Sequence, residues 1–399
     1  MNKYPVIIVG GGIGGLCMAI SLARQNISSV LLEQAPQLRE TGAGIQLCPN
    51  VFKMFDHLKI IDEMKSIAVF PDNLVYVDGI NGDRFLTVDL KGEIIKRFHY
   101  PYGVFHREDL LKKLADIART FPQIEILTST RIIRIEEETD HAVVIAEDGR
   151  KWPCEIVVGC DGLWSVVREH IIGKEDPRFT HHVAYRGVVS LNEVPDRLKP
   201  NDVVHWVRDN SHLVHYRIGV QGLLNIVAII QTENEYPLND VKGNPEEFYQ
   251  RFEGSRPEIL ELIKRVNPER KWQLYDRDPV TTWYKGRVVM LGDAVHPTLP
   301  YLTQGAGMAI EDSVILTQRL IDYEFDYENA FKEYQEERHI RTGYVQLMSR
   351  IYGMTHHSQG IARELRDHIV KHKSKDEIYD WLGKLYKGVD VYKKAVSHV

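Results

Sequence analysis

Apolar positions along this chain follow two rhythms. Short unbroken runs recur at Tyr4-Pro5-Val6-Ile7-Ile8-Val9, Ser29-Val30-Leu31-Leu32, Glu155-Ile156-Val157-Val158-Gly159 and Arg287-Val288-Val289-Met290-Leu291. Such β-branched runs, ended by glycine or an acid, predict strands buried on both faces of a parallel sheet. Helical spacing predicts helices over Leu16–Arg24, Pro49–Met64, His106–Arg119 and Gly305–Leu320. Ile124–Leu127 and Arg131–Ile135 read as strands, and Ala142–Ala146 with Asp148-Gly149 reads as a hairpin. A period of two takes over in residues 73–100 and again from about 175 to 275, broken by a helical Pro245–Val266. Beyond residue 326 the pattern is helical and charged. The predicted class is α/β. A parallel-sheet domain comprises 1–72, 98–174 and 276–345, and a mostly antiparallel sheet domain (73–97 and 175–275) is interleaved with it. A helical segment, 346–399, ends the chain.

The first turn carries the chemistry. Gly10-Gly11-Gly12-Ile13-Gly14-Gly15 joins the first strand to the first helix, and Glu33-Gln34 ends the second strand. Strand, Gly-x-Gly-x-x-Gly, helix, strand and acid make a Rossmann-type dinucleotide-binding unit. Glycines let backbone approach pyrophosphate, the helix N-terminus favours negative charge, and the acid meets a ribose. Gly10, Gly12, Ile13, Gly15, Glu33 and Gln34 are therefore candidate cofactor contacts. This unit alone leaves FAD and NAD open, and with NAD a plain dehydrogenase. A second fingerprint and a cysteine pair are missing, which argues against the two-nucleotide reductases.

Composition narrows the partners. The net charge of -6 is spread without a basic stripe, so nucleic acid is not expected. No apolar run approaches the roughly 18 residues of a membrane helix, and the glycine cluster does not fit a secretory leader. The four cysteines stand singly, without metal or disulfide spacing. No metal and a reducing cytoplasm are the expectations.

Two further signals complete a set: Asp161-Gly162 with Ser165 and Arg168, and Gly292-Asp293 with His296-Pro297. Over residues 4–345 the set resembles the single-component FAD-dependent aromatic hydroxylases, the class A flavoprotein monooxygenases. Their members act on 3-hydroxybenzoate, salicylate or hydroxynicotinates, and the 3-hydroxybenzoate type is most similar. The resemblance implies tightly bound FAD, NAD(P)H as a transient co-substrate, consumption of O2, a small hydroxylated aromatic acid as substrate, and often a homodimer. It implies that Asp293 meets the FAD ribityl chain and that Gly305 and Ala306 face the flavin pyrimidine ring. Arg107, in His-Arg-x-Asp-Leu, and Asp161 are implied to serve pyrophosphate or ribityl groups, and Ile132 to reach the adenine. The loop 39–47 brings Gly42 and Gly44 near the cofactor. A non-oxygenating flavoprotein reductase is the competing class, favoured by an apolar, lipid-sized channel.

His212 and Tyr216 are four residues apart on one strand, hence on one face. They match a His-x-x-x-Tyr pair that faces substrate in this family. A near-neutral histidine can take a phenolic proton, and a tyrosine hydroxyl can hold the phenolate or carboxylate. Gln46 matches the 3-hydroxybenzoate type, where the hydroxynicotinate enzymes have histidine. Pro300 departs from that type, which has glutamine there, and Tyr301 or Gln304 is left to take its place. His215 points to the other face; His296 either lies beside the flavin or braces its loop. The basic tail with Arg350, Arg363, Arg366, Lys371 and Lys373 is either a subunit contact or a solvated face.

Overall fold

The computed structural model describes residues 5–39, 43–238 and 240–392. Tyr4 of the first predicted strand and Gly42 of the loop lie outside them. At the centre, Val6–Val9 pairs in parallel with Ser29–Leu32 on one side and Ile156–Gly159 on the other. Ile124–Leu127 and Val288–Met290 extend this sheet in parallel, and Tyr284–Lys285 adds an antiparallel edge. The strands Val6–Val9, Ser29–Leu32, Ile156–Gly159 and Val288–Met290 are buried throughout, as expected of strands covered on both faces. The helices Ile13–Arg24 and Gly305–Asp322 pack side by side over the sheet. The predicted hairpin forms part of a three-stranded sheet of Ile132–Glu137, Ala142–Ala146 and Lys151–Cys154.

The second sheet has seven strands. In spatial order they are Trp272–Asp276, Arg178–Ser190, Leu223–Gln231, Ser211–Ile218, Val203–Arg208, Asn73–Asp78 and Arg84–Asp89. All pairings are antiparallel except Val203–Arg208 with Asn73–Asp78. One face packs Val183, Tyr185, Leu213, Ile226 and Ile230 against Phe248, Phe252, Ile259 and Leu262. The opposite face looks toward the parallel-sheet unit, and the intervening space holds the candidate site.

Three stretches depart from the sequence reading. Glu93–Phe98 is a helix rather than strand. The helical run after Pro49 divides into Pro49–His57 and Ile61–Lys65, where Lys59 takes a left-handed φ of 58°. Pro245–Val266 divides into Pro245–Arg251 and Pro257–Ile263, with Gly254 at φ 70° between them. In both cases a left-handed residue ends a helix that apolar spacing alone runs through. The C-terminal segment folds as Tyr327–His356, Gly360–His372 and Lys375–Tyr386. Its cations tie it to the chain's own body. Arg350 pairs with Asp276 and Asp278, Arg363 with Asp78 and Asp209, and Lys371 with Asp83. No described helix is long and apolar enough to cross a membrane.

Candidate active site

Two cavities follow from this arrangement. The first, about 350 Å³, lies at the carboxyl ends of the parallel strands. It is lined by Gly10, Gly11, Gly12, Glu33, Gln34, Ile132, Asp161 and Gly162, among others. Gly10 has φ 107°, and a Cβ there would fall 2.4 Å from the Cys160 carbonyl oxygen. A Cβ on Gly15 would fall 2.0 Å from the Gly10 carbonyl oxygen, so this glycine seats the helix on the turn. Gly12 differs: its missing Cβ faces open space, leaving room for a phosphate to approach the backbone. The Glu33 carboxylate accepts from the Gly11 and Ala35 amides, both at 2.7 Å. Ile13 begins the helix and its side chain is in the core.

Asp161 lines this cavity, but its carboxylate is turned into the protein. It accepts from Ser165 Oγ at 2.5 Å and from the Val166 and Val167 amides at 2.8 and 3.2 Å. Burial nevertheless raises its pKa. Ser165 caps the next helix by accepting from the Arg168 amide. The buried Arg168 guanidinium then donates to the Ala294 and Val295 carbonyls at 3.2 and 3.1 Å. The Asp-Gly and Gly-Asp motifs are thus joined by a protein contact.

The second cavity, about 250 Å³, is bounded by Gly44, Gln46, Arg107, Arg186, His212, Tyr216, Asp293, Pro300, Tyr301, Gly305 and Ala306, with His205 and His356. The Asp293 side chain is exposed to this space, with protein closely packed around it. Burial raises its pKa, against the opposing pull of His296 and Arg107. No side chain caps the helix beginning at Gly305, so its first amides and positive dipole end face the cavity. His296 does not reach this space. It is buried on Asp312, Nε2 to Oδ2 at 2.6 Å, and braces the loop. Gly44 accommodates the substrate sheet: a Cβ there would fall 2.7 Å from the Tyr216 hydroxyl and 2.8 Å from Asn225. Gly12 open to a cavity, Asp293 beside Arg107, and an uncapped helix end are a donor set that fits a flavin dinucleotide.

His212, Val214 and Tyr216 share the cavity face, while His215 accepts from the Trp206 indole on the other. Gln46 accepts from the Tyr102 hydroxyl. Burial, then the neighbouring His357, His356, His205 and His182, hold the His212 pKa well below the ordinary value, so its imidazole is neutral. Burial raises the Tyr216 hydroxyl, which stays protonated. Pro300 borders the cavity and begins a short 3-10 turn. Of its two possible substitutes, Tyr301 faces the cavity, whereas Gln304 is turned to Asn50.

Three polar cavity residues, Arg186, His205 and His356, and one residue behind them, His357, escaped the sequence reading. Arg186, on Arg178–Ser190, has a buried Nε without a hydrogen-bond partner, and its guanidinium lies 4.9 Å from the Trp272 ring centroid. Burial and the Arg107 charge lower its pKa to about 10. His205 and His356 meet at the cavity wall, and His357 stands behind His212. Arg186 shares a strand face with Ala184, a signal that pairs it with His212 only once the sheet order is known. A third cavity, about 290 Å³ and apolar, adjoins the second at Gln46, His205, Tyr301 and His356, and runs between Tyr76, Phe85, Leu382 and Tyr386. Among the described residues no group of three His, Cys, Asp or Glu side chains is arranged to hold a metal ion. Burial pushes the Cys17, Cys48 and Cys154 thiols up to about 12, so they are inert packing groups.

Residues 3–345 match the FAD binding domain family. The chain is 38% identical to 3-hydroxybenzoate 6-hydroxylase of Polaromonas naphthalenivorans, over 96% of this chain and 95% of that one. It is 37% identical to 3-hydroxybenzoate 6-hydroxylase of Klebsiella oxytoca, over 94% and 95% of the two chains. Among solved structures, Klebsiella pneumoniae HpxO complexed with FAD and uric acid superposes with a TM-score of 0.86 at 22% identity, covering 97% of this chain and 98% of that one, a likeness of fold. The chain belongs to the FAD binding domain family and, within it, to the flavoprotein aromatic hydroxylases, enzymes that use FAD and NAD(P)H.

Proposed function

We propose that this enzyme hydroxylates a small aromatic acid bearing a ring hydroxyl, with 3-hydroxybenzoate as the preferred class, consuming NAD(P)H and O2 in the cytoplasm. The observation that carries the reading is the convergence of His212, Tyr216 and Arg186 on one cavity with Asp293 and the uncapped Gly305 helix end. Bound FAD supplies the redox chemistry, accepting hydride and activating oxygen for transfer to the ring. The chain supplies the rest.

Gly12, Glu33 and Ile132 hold the nucleotide end, and Asp293, Arg107, Gly305 and Ala306 the flavin end. Asp161 contributes by fixing the helix and loop around the first cavity. The helix dipole at Gly305 favours negative charge on the reduced ring system. On the substrate side, Arg186 meets the carboxylate, for which its fork geometry is suited. His212 takes the phenolic proton, and Tyr216 donates to the resulting phenolate. A ring bearing a phenolate is electron-rich and reacts more readily with an electrophilic oxygen. Gln46 and Tyr301 line the far wall, and Pro300 shapes it without donating a hydrogen bond. Residues 73–97 and 175–275 serve as the substrate domain in this reading.

The test is a screen of hydroxybenzoates, salicylate and hydroxynicotinates for substrate-stimulated NADH oxidation, followed by identification of the product. Alkyl-substituted hydroxybenzoates belong in it because an apolar chamber adjoins the site. Stimulation with a hydroxylated product supports the reading. NADH oxidation unaffected by every phenolic acid would sink it.

The C-terminal helices suggest the assembly. Ile340, Met354 and Ile361 are 71%, 72% and 79% exposed on consecutive helices. We take this apolar face as the contact of a homodimer.

A further inference from the structure

The row of side chains that floors the candidate site runs on past its edge. Strand pairing sets Arg186 opposite Val227, Val227 opposite Val214, Val214 opposite His205, His205 opposite Tyr76, and Tyr76 opposite Leu86. Directly paired residues point to the same face of a sheet, so these side chains form one continuous line across it. Strands about 4.8 Å apart make the line about 19 Å long between Arg186 and Tyr76, well beyond the reach of one ring and its carboxylate. Arg186, Val227 and Val214 border the second cavity, Tyr76 and Leu86 border the apolar chamber, and His205 borders both.

We propose that the apolar chamber is a second compartment of the substrate site, and that it takes an unbranched alkyl substituent carried on the ring carbon opposite the carboxylate. This rests on the reading of Arg186 as the carboxylate's partner and of His212 and Tyr216 as the pair facing the phenol. With its carboxylate on Arg186 the ring lies over Val214, and His212 and Tyr216 flank it two residues to either side along the strand. The carbon opposite the carboxylate then points along the row toward His205 and Tyr76. In a 3-hydroxybenzoate that carbon neighbours the hydroxyl, which leaves the ring edge away from the hydroxyl free for oxygen.

The chemistry of the chamber selects its occupant. The polar groups around it are engaged by the protein. Gln46 accepts from the Tyr102 hydroxyl, and the Thr303 and Thr355 hydroxyls donate to the Leu302 and Tyr352 carbonyls at 2.7 and 3.0 Å. Arg366 is held by the Thr355 and His356 carbonyls at 3.0 and 3.2 Å and by Asp367 at 2.8 Å. Lys373 lies exposed at the outer rim. Methylene groups suit such a space, and a polar tail would lose its water for nothing. Unfilled apolar volume also weakens a fold, so an occupant repays the cost of about 290 Å³ left open. The collar between the two spaces is made by side chains of separate elements, with the His356 ring 6.2 Å from His205 and 5.9 Å from Tyr301 between centroids. Side chains change rotamer on binding without backbone movement, so the collar yields to a methylene chain.

The test compares 3-hydroxybenzoate with 4-butyl-3-hydroxybenzoate on FAD-loaded enzyme, by NADH oxidation and product analysis. Each methylene moved from water into apolar surroundings is worth about fourfold in binding. The butyl compound should show a KM lower by about tenfold or more, with kcat within about twofold. Ile378→Trp and Leu382→Trp each fill the chamber from the helix Lys375–Tyr386, and neither residue borders the second cavity. Both variants should abolish the butyl advantage while leaving flavin content and 3-hydroxybenzoate kinetics unchanged, and either one carries the comparison should the other not fold. Binding alone gives a second readout, because Trp381 borders the chamber, stacked on Tyr352 with centroids 5.0 Å apart. Tryptophan fluorescence should change with the butyl compound but not with 3-hydroxybenzoate, and the change should vanish in Trp381→Phe. A butyl compound that binds no better than 3-hydroxybenzoate, an advantage that survives the tryptophan substitutions, or a fluorescence change that persists in W381F overturns the compartment and leaves the hydroxylase reading intact. NADH oxidation stimulated by neither compound overturns the hydroxybenzoate reading, and the compartment with it.

Discussion

Replacing Arg338 by methionine tests how the flavin-side loop is held. Arg338 is fully buried in the helix Tyr327–His356, with Nε donating to Asp312 at 2.7 Å and Nη2 donating to Glu311 at 2.8 Å. Both carboxylates are 0% exposed. Glu311 keeps Arg341 and Asn50 if Arg338 is lost, but Asp312 keeps only His296 and the Gly292 amide. Removing one member of a buried ion pair costs about 3–5 kcal/mol, because the remaining charge stays desolvated. A 399-residue chain unfolds with an entropy of about 0.8 kcal/mol/K, so Arg338→Met should lower Tm by about 4–6 °C.

The direction with pH follows from Asp312. Burial alone would raise its pKa, but His296 and Arg338 outweigh burial and hold it down to about 2. In the wild type its contribution is therefore complete above the unfolded value of about 4, and is lost as pH falls toward 2. In the variant, burial is less opposed and the folded pKa rises. The penalty is then greatest at high pH and eases on acidification. Calorimetry should find a smaller Tm deficit at pH 5 than at pH 8, and partial recovery in R338M/D312N. Equal deficits at both pH values, with no recovery in the double variant, would mean lost packing rather than stranded charge.

Asp293→Ala should weaken FAD by about 10- to 150-fold, the loss of one charged hydrogen bond of about 1.5–3 kcal/mol, read by flavin fluorescence titration. Normal flavin retention would remove Asp293 from the cofactor site. Tyr216→Phe and His212→Ala should keep FAD while uncoupling NADH oxidation from product, and undiminished product yield in both would exclude them. Arg186→Met should raise KM for the aromatic acid about tenfold or more with flavin content unchanged. An unchanged KM would point the guanidinium elsewhere. Aspartate at both Ile340 and Met354 should shift sedimentation from dimer toward monomer, and a wild-type monomer would dismiss the interface.

The parallel strands, the glycine turn and the antiparallel character of the second sheet were legible because each depends on neighbours in sequence. His212 and Tyr216 were legible for the same reason, since a period of two fixes their common face. Arg186 was not: an arginine in an alternating strand reads as solvent-facing until Gly44–Leu47 and the flavin-side loop are seen to close over it. His357 lies 145 residues from His212 and meets it only through the fold. Arg338, Glu311 and Asp312 resemble surface charges on amphipathic helices, yet two helices bring them together in the interior. Glu93–Phe98 was misread because its Ile94-Ile95 pair suits either period. Gly42 lies outside the described residues.

The Arg168 clasp bears on how such chains should be recognised. Its guanidinium spans the gap to residues 294 and 295, while Ser165 and Asp161 anchor its own end. Apart from the Arg168 Nε, these side chains find their hydrogen-bond partners within the protein. A descendant that had abandoned ring oxidation would still need the clasp to stay folded. The signature at 161–168 therefore certifies architecture, and evidence about the reaction must be sought among the side chains that border open space.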